Sequence, residues 1–208
     1  MSQKSANVPH AEALARLVEG NKRFTADVRS VASFTSKAQR QALVTGQQPF
    51  AIVLSCSDSR APSELIFDCG LGELFVVRVA GNVVASSILG SVEFAAATFG
   101  TQLIVVMGHS RCGAVAATVE AIRTSGPALS ESIGDIVARI RPAVTELVHA
   151  HDDSDDLLGP AIRANVRVAT GHLRRGSRLL EERILANQLR VVGAEYSFET
   201  GLVDFFDV

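Results

Sequence analysis

Four short apolar runs recur along the chain: FAIVLS at 50–55, LFVVRVA at 74–80, QLIVVMG at 102–108 and LRVVGAE at 189–195. Each is too short for an ordinary helix, rich in branched side chains and nearly unbroken by polar residues, the pattern of a strand covered on both faces. Between them the spacing turns helical. SELIFD, SSILGSVEFAAATF and GAVAATVEAIRTSG read as helices returning the chain to the start of the next parallel strand. Longer helical segments are expected over about 130–150 and 155–187, with Pro142 and Gly171 as candidate kinks. Upstream, Pro9 suits a first helical turn, and Leu14, Leu17, Val18, Asn21 and Phe24 follow at near-helical spacing as an amphipathic stripe. TSKAQRQALVTG reads as a short second helix from a Ser/Thr cap to Gly46. SFETGLVDFF places a Thr-Gly turn before a short alternating run, which predicts an antiparallel edge strand. The expected fold is therefore α/β: a mainly parallel four-stranded sheet with an antiparallel C-terminal edge strand, flanked by helices. With no linker or repeat, residues 1–208 read as one domain, with an N-terminal helical arm over 1–46.

Composition changes this picture in three ways. At 208 residues, with 47% hydrophobic and 20% charged side chains, the chain suffices for one well-covered core and is far from a disordered composition. The net charge of -2 gives no bulk electrostatic reason to expect nucleic acid or an anionic membrane as partner. No apolar run approaches the roughly 18 residues of a membrane span, and the N-terminal stretch has no signal-peptide core, so a cytoplasmic protein is expected. Three cysteines, an odd number, argue against a disulfide framework and turn attention to metal binding or catalysis. The acidic run DDSDD at 152–156 reads as a solvated helix start.

Ligand sites in open α/β sheets collect beyond the carboxyl ends of the strands. After AIVLS come Cys56, Asp58 and Arg60; after LIVVMG come His109 and Cys112, then Gly113 at the head of a helix. Taken singly, each thiol reads as an ordinary buried cysteine and the imidazole as a satisfied core histidine. If the two strands are neighbours, the three converge as a Cys2His ligand set for zinc, with a fourth position open as in catalytic sites. Residues two apart in an extended segment point the same way, so Asp58 is placed to reach the metal and Arg60 to reach Asp58. A guanidinium clamps a carboxylate through two parallel hydrogen bonds and keeps it ionised. Two states follow: with Asp58 held by Arg60 the fourth position takes water, and with Asp58 on zinc it is closed. Zinc held by three histidines lowers the pKa of its water from about 15.7 to roughly 7. Two thiolates cancel the charge of the dication, so the hydroxide should form at higher pH and activity should rise through neutral into alkaline pH.

CSDSR followed by GHSRCGAV resembles the β-class carbonic anhydrases, and the similarity continues through GELFVVRVAGN at 72–82, LGSVEFAAA at 89–97 and VVGAEYSFETGLV at 191–203. The resemblance spans about 150 residues in the family's order. It implies one Zn2+ per subunit bound by Cys56, His109 and Cys112, an Asp58–Arg60 catalytic dyad, and reversible hydration of CO2 to bicarbonate and a proton by zinc-bound hydroxide. It also implies a homodimer or homotetramer, a substrate pocket at the dimer interface, and an N-terminal helix laid across a partner. The pocket residues it assigns are Gln47, Phe75, Ala80, Phe94 and the backbone of Gly113. Phe94 stands where tyrosine is common, which removes a hydroxyl. An allosteric branch of the family holds a second bicarbonate with Trp, Arg and Tyr; Arg78 and Tyr196 resemble two of these, but the tryptophan position is Val53 and the chain has no tryptophan. No such escort site is expected, and the plant-like branch is the nearer likeness.

Other features carry less. Cys69 has no paired ligand motif and reads as a free structural thiol, GLGEL lacks the third glycine of a dinucleotide loop, and His149 and His151 read as a solvated helix end. Two rival functions share the motifs at the metal: hydrolysis of carbon disulfide or carbonyl sulfide, and a permanently closed, non-catalytic zinc module.

Overall fold

The computed structural model describes residues 7–30, 36–126, 130–151 and 156–207. Strands β1 (Ala51–Ser55), β2 (Leu74–Arg78), β3 (Leu103–His109) and β4 (Arg190–Tyr196) are parallel, and β5 (Val203–Phe206) runs antiparallel to β4. Their order across the sheet is β2-β1-β3-β4-β5, which makes the two motif-bearing strands neighbours. Every residue of β1 and β3 is buried, the physical reason their sequences do not alternate.

The period of two divides those strands between two cores. Ile52, Leu54, Ile104, Val106 and Val191 face the helices α4 (Ser86–Phe99), α7 (Leu158–Arg175) and α8 (Arg178–Leu185). Ala51, Val53, Val105, Val192 and Ala194 face α1 (His10–Thr25) and α3 (Ser63–Ile66). A third cluster, from α5 (Gly113–Arg123), α6 (Glu131–His149) and the start of α7, encloses Cys56 and Cys112. The remaining helix, α2 (Lys37–Ala42), starts from Ser36 with a reciprocal capping box to Gln39.

The N-terminal helix α1 lies on its own chain's sheet: Ala13 and Leu17 are fully buried there, and Gly20 passes so close that a Cβ would stand 1.9 Å from the Phe67 carbonyl oxygen. Asn21 ties the helix down, donating to the carbonyls of Ile66 and Gly201 and accepting from the Val203 N–H.

Two expectations need correction. The segment expected to be one helix to 187 is two, α7 and α8, and the break falls at Gly176 and Ser177 rather than at Gly171. Ser177 Oγ accepts from the Leu180 N–H and donates to Glu93, so a new helix is capped there. The helix α6 runs from Glu131 to His149 through Pro142 without a break. Of the acidic run, residues 152–155 lie outside the described residues; Asp156 accepts from the Leu158 N–H at the start of α7.

Candidate active site

The pairing of β1 with β3 sets Ser55 opposite Met107, so Cys56 emerges at the same sheet edge as His109. Arg111 then takes a left-handed conformation (φ 57°), and the turn delivers Cys112 as the residue before α5. One ligand atom each from Cys56, His109 and Cys112 lie within 4.8 Å of one another, and all three residues are buried. His109 Nδ1 is 2.8 Å from the Ser110 carbonyl oxygen, which makes Nδ1 the protonated nitrogen and leaves a lone pair on Nε2. Nε2 is buried and has no hydrogen-bond partner. An unsatisfied buried acceptor costs about 1–3 kcal/mol, and coordination to a cation removes that cost. Donor types, spacing and orphaned nitrogen together fit zinc.

The electrostatics agree. The Cys112 thiol, hydrogen-bonded to Cys56, draws the Cys56 pKa down to about 4 against the opposing effect of burial, with help from His109 and the backbone of Asp58 and Gly81. The same pairing and burial push Cys112 up, so the metal-free pair shares one proton. Burial opposes a charge on His109, but contact with Cys56 and the Ser110 carbonyl outweighs it and raises the imidazole.

Asp58 and Arg60 form the bidentate pair expected: Nε donates to Oδ1 at 3.0 Å and Nη2 to Oδ2 at 2.8 Å, while the Arg60 backbone N–H also reaches Oδ1. These bonds from Arg60 hold the Asp58 carboxyl well below the usual carboxylate range. Asp58 Oδ2 stands 4.0 Å from His109 Nε2, too far for a hydrogen bond but facing the same nitrogen.

Three supports escaped the sequence reading. Arg78 donates from Nε to the Cys56 carbonyl (3.1 Å) and from Nη2 to the Asp58 carbonyl (2.6 Å), so it clamps the loop that carries both residues. The signal was its place at the end of β2, in register with Ser55. The Gly81 N–H points at Cys56 Sγ (3.4 Å) from a single 3-10 turn, where φ is +66° and a Cβ would come within 2.8 Å of Ile140. Phe198, just past β4, packs its ring against both His109 and Arg60.

Of the expected pocket residues, Gly113 follows Cys112 directly, with open space where a side chain would stand, and Ala80 belongs to the 3-10 turn. The other three lie elsewhere in the chain. Gln47 precedes β1 and lines a cavity with Phe99, Gly100 and Thr101 at the amino ends of the strands. Phe75 pairs with Ile52, four residues before Cys56 and so about 13 Å back along the strand. Phe94, 54% exposed on α4, clusters with Phe75 and Phe99 at centroid distances of 6.3 and 5.8 Å. Val53 is in the core, Tyr196 is buried, and Arg78 is spent on the two carbonyls, an arrangement without the escort pocket's tryptophan. Cys69 donates to the Phe67 carbonyl and His151 Nδ1 meets the Leu147 carbonyl at the end of α6; neither approaches the metal ligands.

A family model described as carbonic anhydrase matches residues 51–203. A protein of Mycobacterium tuberculosis (strain ATCC 25618 / H37Rv) called carbonic anhydrase 2 is 38% identical over 185 residues, 89% of this chain and 87% of its own length. The solved structure of the β-carbonic anhydrase CcaA superposes with a TM-score of 0.75 at 26% identity, covering 93% of this chain and 87% of that one. One of two tetrameric β-carbonic anhydrases from Sordaria macrospora gives a TM-score of 0.70 at 23% identity over 81% of this chain and 86% of that one, a likeness of fold.

Proposed function

This chain belongs to the β-carbonic anhydrase family of enzymes, and on that premise we propose that it catalyses the reversible hydration of carbon dioxide to bicarbonate and a proton, with one zinc ion per subunit held by Cys56, His109 and Cys112. The observation that carries this reading is the convergence of the three ligand atoms on an orphaned imidazole nitrogen, with a clamped carboxylate beside it. Zinc in such a set supplies the Lewis acidity that activates water. The protein's own part is to fix charge and direction. Asp58 stays ionised because Arg60 holds it, so it accepts hydrogen bonds and donates none, and Oδ2 is the acceptor that orients a water proton at the centre. Loss of the Arg60 contact frees that oxygen to take the fourth position and close the site.

The separation of Gln47, Phe75 and Phe94 from their own chain's ligands, together with the exposure of Phe94, supports a pocket completed by a second copy, in a dimer or a tetramer built from dimers. The apolar wall suits CO2, which offers little to hydrogen-bond. Unpaired cysteines and, among the described residues, no helix long and apolar enough to cross a membrane support the cytoplasmic reading.

Stopped-flow CO2 hydration across pH, with zinc analysis of the same sample, tests the proposal on wild type and Asp58→Ala. The expected result is one zinc per chain, activity rising into alkaline pH, and a variant that keeps zinc but loses hydration. Unchanged zinc and unchanged hydration in Asp58→Ala would remove both dyad and gate, and loss of metal with Asp58 would indicate a closed structural site. Rapid sulfide release from carbon disulfide or carbonyl sulfide without CO2 hydration would transfer the function to those substrates.

A further inference from the structure

A third strand end meets this edge of the sheet. Tyr196 closes β4 in register with His109, and the Ser110 N–H donates to the Tyr196 carbonyl at 2.9 Å. The turn that follows carries Phe198 into the space between metal ligand and dyad: its ring centroid lies 4.9 Å from that of the His109 imidazole, and the Arg60 guanidinium carbon sits 4.1 Å from it.

We propose that Phe198 is a positioning residue for the dyad: its ring is the platform that fixes where Arg60, and through it Asp58, stands relative to the metal ligands. The need for a platform follows from the pair's own geometry. Arg60 and Asp58 are two residues apart on one loop, so their bidentate contact fixes each relative to the other without anchoring either to His109. The Arg60 side chain is 56% exposed and keeps its long stem's freedom unless something holds the guanidinium. An aromatic face does so through the attraction of the cation for the ring, which an aliphatic side chain of similar bulk does not supply.

Phe198 is itself firmly held. Its N–H donates to Ser110 Oγ at 2.9 Å, its ring packs against that of Tyr196 at 5.5 Å and 85°, and the adjacent Glu199 accepts from Ser110 Oγ and Arg111 Nε. The turn closes through Ser197 N–H to the Leu202 carbonyl and Gly201 N–H to the Ser197 carbonyl, while Asn21 of α1 holds Gly201. Ring position is thus set by the residues flanking His109, and Arg60 inherits it.

This inference rests on the reading of Asp58 and Arg60 as the working pair, so its test must separate the two. On zinc-loaded, full-length protein, Phe198→Leu keeps apolar volume and removes the π face, Phe198→Tyr keeps the face, and Arg60→Ala removes the pair. Zinc content, kcat and KM for CO2 hydration, and the side-chain NMR resonance of Arg60 Nε–H are measured for each. The expected results are retained zinc, a kcat about three- to fivefold lower in Phe198→Leu, the scale of an exposed cation–π contact, and restoration in Phe198→Tyr. The Arg60 Nε–H signal should be ring-shifted in wild type and Phe198→Tyr and lose that shift in Phe198→Leu. An unchanged kcat and Arg60 signal in Phe198→Leu, with Arg60→Ala inactive, overturns the role of Phe198 alone. A Phe198→Tyr enzyme as slow as Phe198→Leu reduces the ring to shape, and zinc loss in Phe198→Leu assigns it to His109; either overturns the proposal. An active Arg60→Ala enzyme overturns the dyad and, with it, any positioning of it.

Discussion

Asn21 sits on the buried stripe of α1 and is 4% exposed. Replacing it with leucine keeps size and apolar character at the stripe but strands the three backbone groups it serves. Its bonds to Gly201 and Val203 are short at 2.9 Å, while the one to Ile66 at 3.3 Å is weak. The Val203 N–H is a single donor, so its loss is the most costly. A buried polar group left without a partner costs about 1–3 kcal/mol. For the two strong bonds that gives about 2–6 kcal/mol, of which the leucine recovers part through its own burial. The expected net loss is about 2–4 kcal/mol, or about 4–16 °C in Tm for a chain of this length. Urea and thermal unfolding followed by circular dichroism, at one fixed protein concentration because assembly shifts the midpoint, would measure it. A loss below about 1 kcal/mol would refute the reasoning: it would mean that these groups find other partners and that α1 is not pinned to the β4–β5 turn. Because Gly201 closes the turn that carries Phe198, the variant should also broaden the Arg60 Nε–H resonance.

Burial, chiefly, pushes the Cys69 thiol from 9.0 up to about 12, so the fold favours its neutral form. A pKa raised by folding contributes stability that is complete below the unfolded value and is lost as pH climbs from 9 toward 12; Cys69→Ala should therefore lose less stability than wild type between pH 8 and pH 10.5 in urea unfolding, and equal losses would contradict it. Arg78→Met removes the clamp on the Cys56 and Asp58 carbonyls without touching a ligand, and zinc affinity measured by chelator competition should fall about tenfold, the scale of outer-shell losses. An affinity equal to wild type would show that the loop needs no clamp.

How much of this was legible depended on whether a feature leaves a local pattern. The strands did, because a sheet covered on both faces selects runs such as AIVLS and LIVVMG, and the ligands did, because they follow those runs directly. Asn21 was read as one more member of a helical stripe, since periodicity records position and not the backbone groups waiting there. The break at Ser177 stayed hidden because Leu173 and Leu180 are both buried and continue the apolar rhythm across it; the Gly176–Ser177 pair, a stop followed by a cap, was the available signal. Arg78 and Phe198 became visible only through register, which brings the ends of β2 and β4 beside those of β1 and β3.

The charges at the centre explain why that edge is so heavily supported. Two thiolates and a neutral imidazole bring a dication to zero net charge, so the ligands themselves leave nothing over to hold a second anion in place. Asp58 adds a negative charge beside the buried thiols, and it is Arg60 that compensates it, from a side chain largely in water. A pair in that position gains little from Coulomb attraction alone, because solvent screens it. Its orientation must come from contacts, and the structure provides them on each side: Arg78 on the loop's carbonyls, the Gly81 N–H on the Cys56 sulfur, and the Phe198 ring on the guanidinium. The carboxylate can then stay beside the centre, ionised and facing His109 Nε2, without falling onto the metal, which is the condition for an open fourth position.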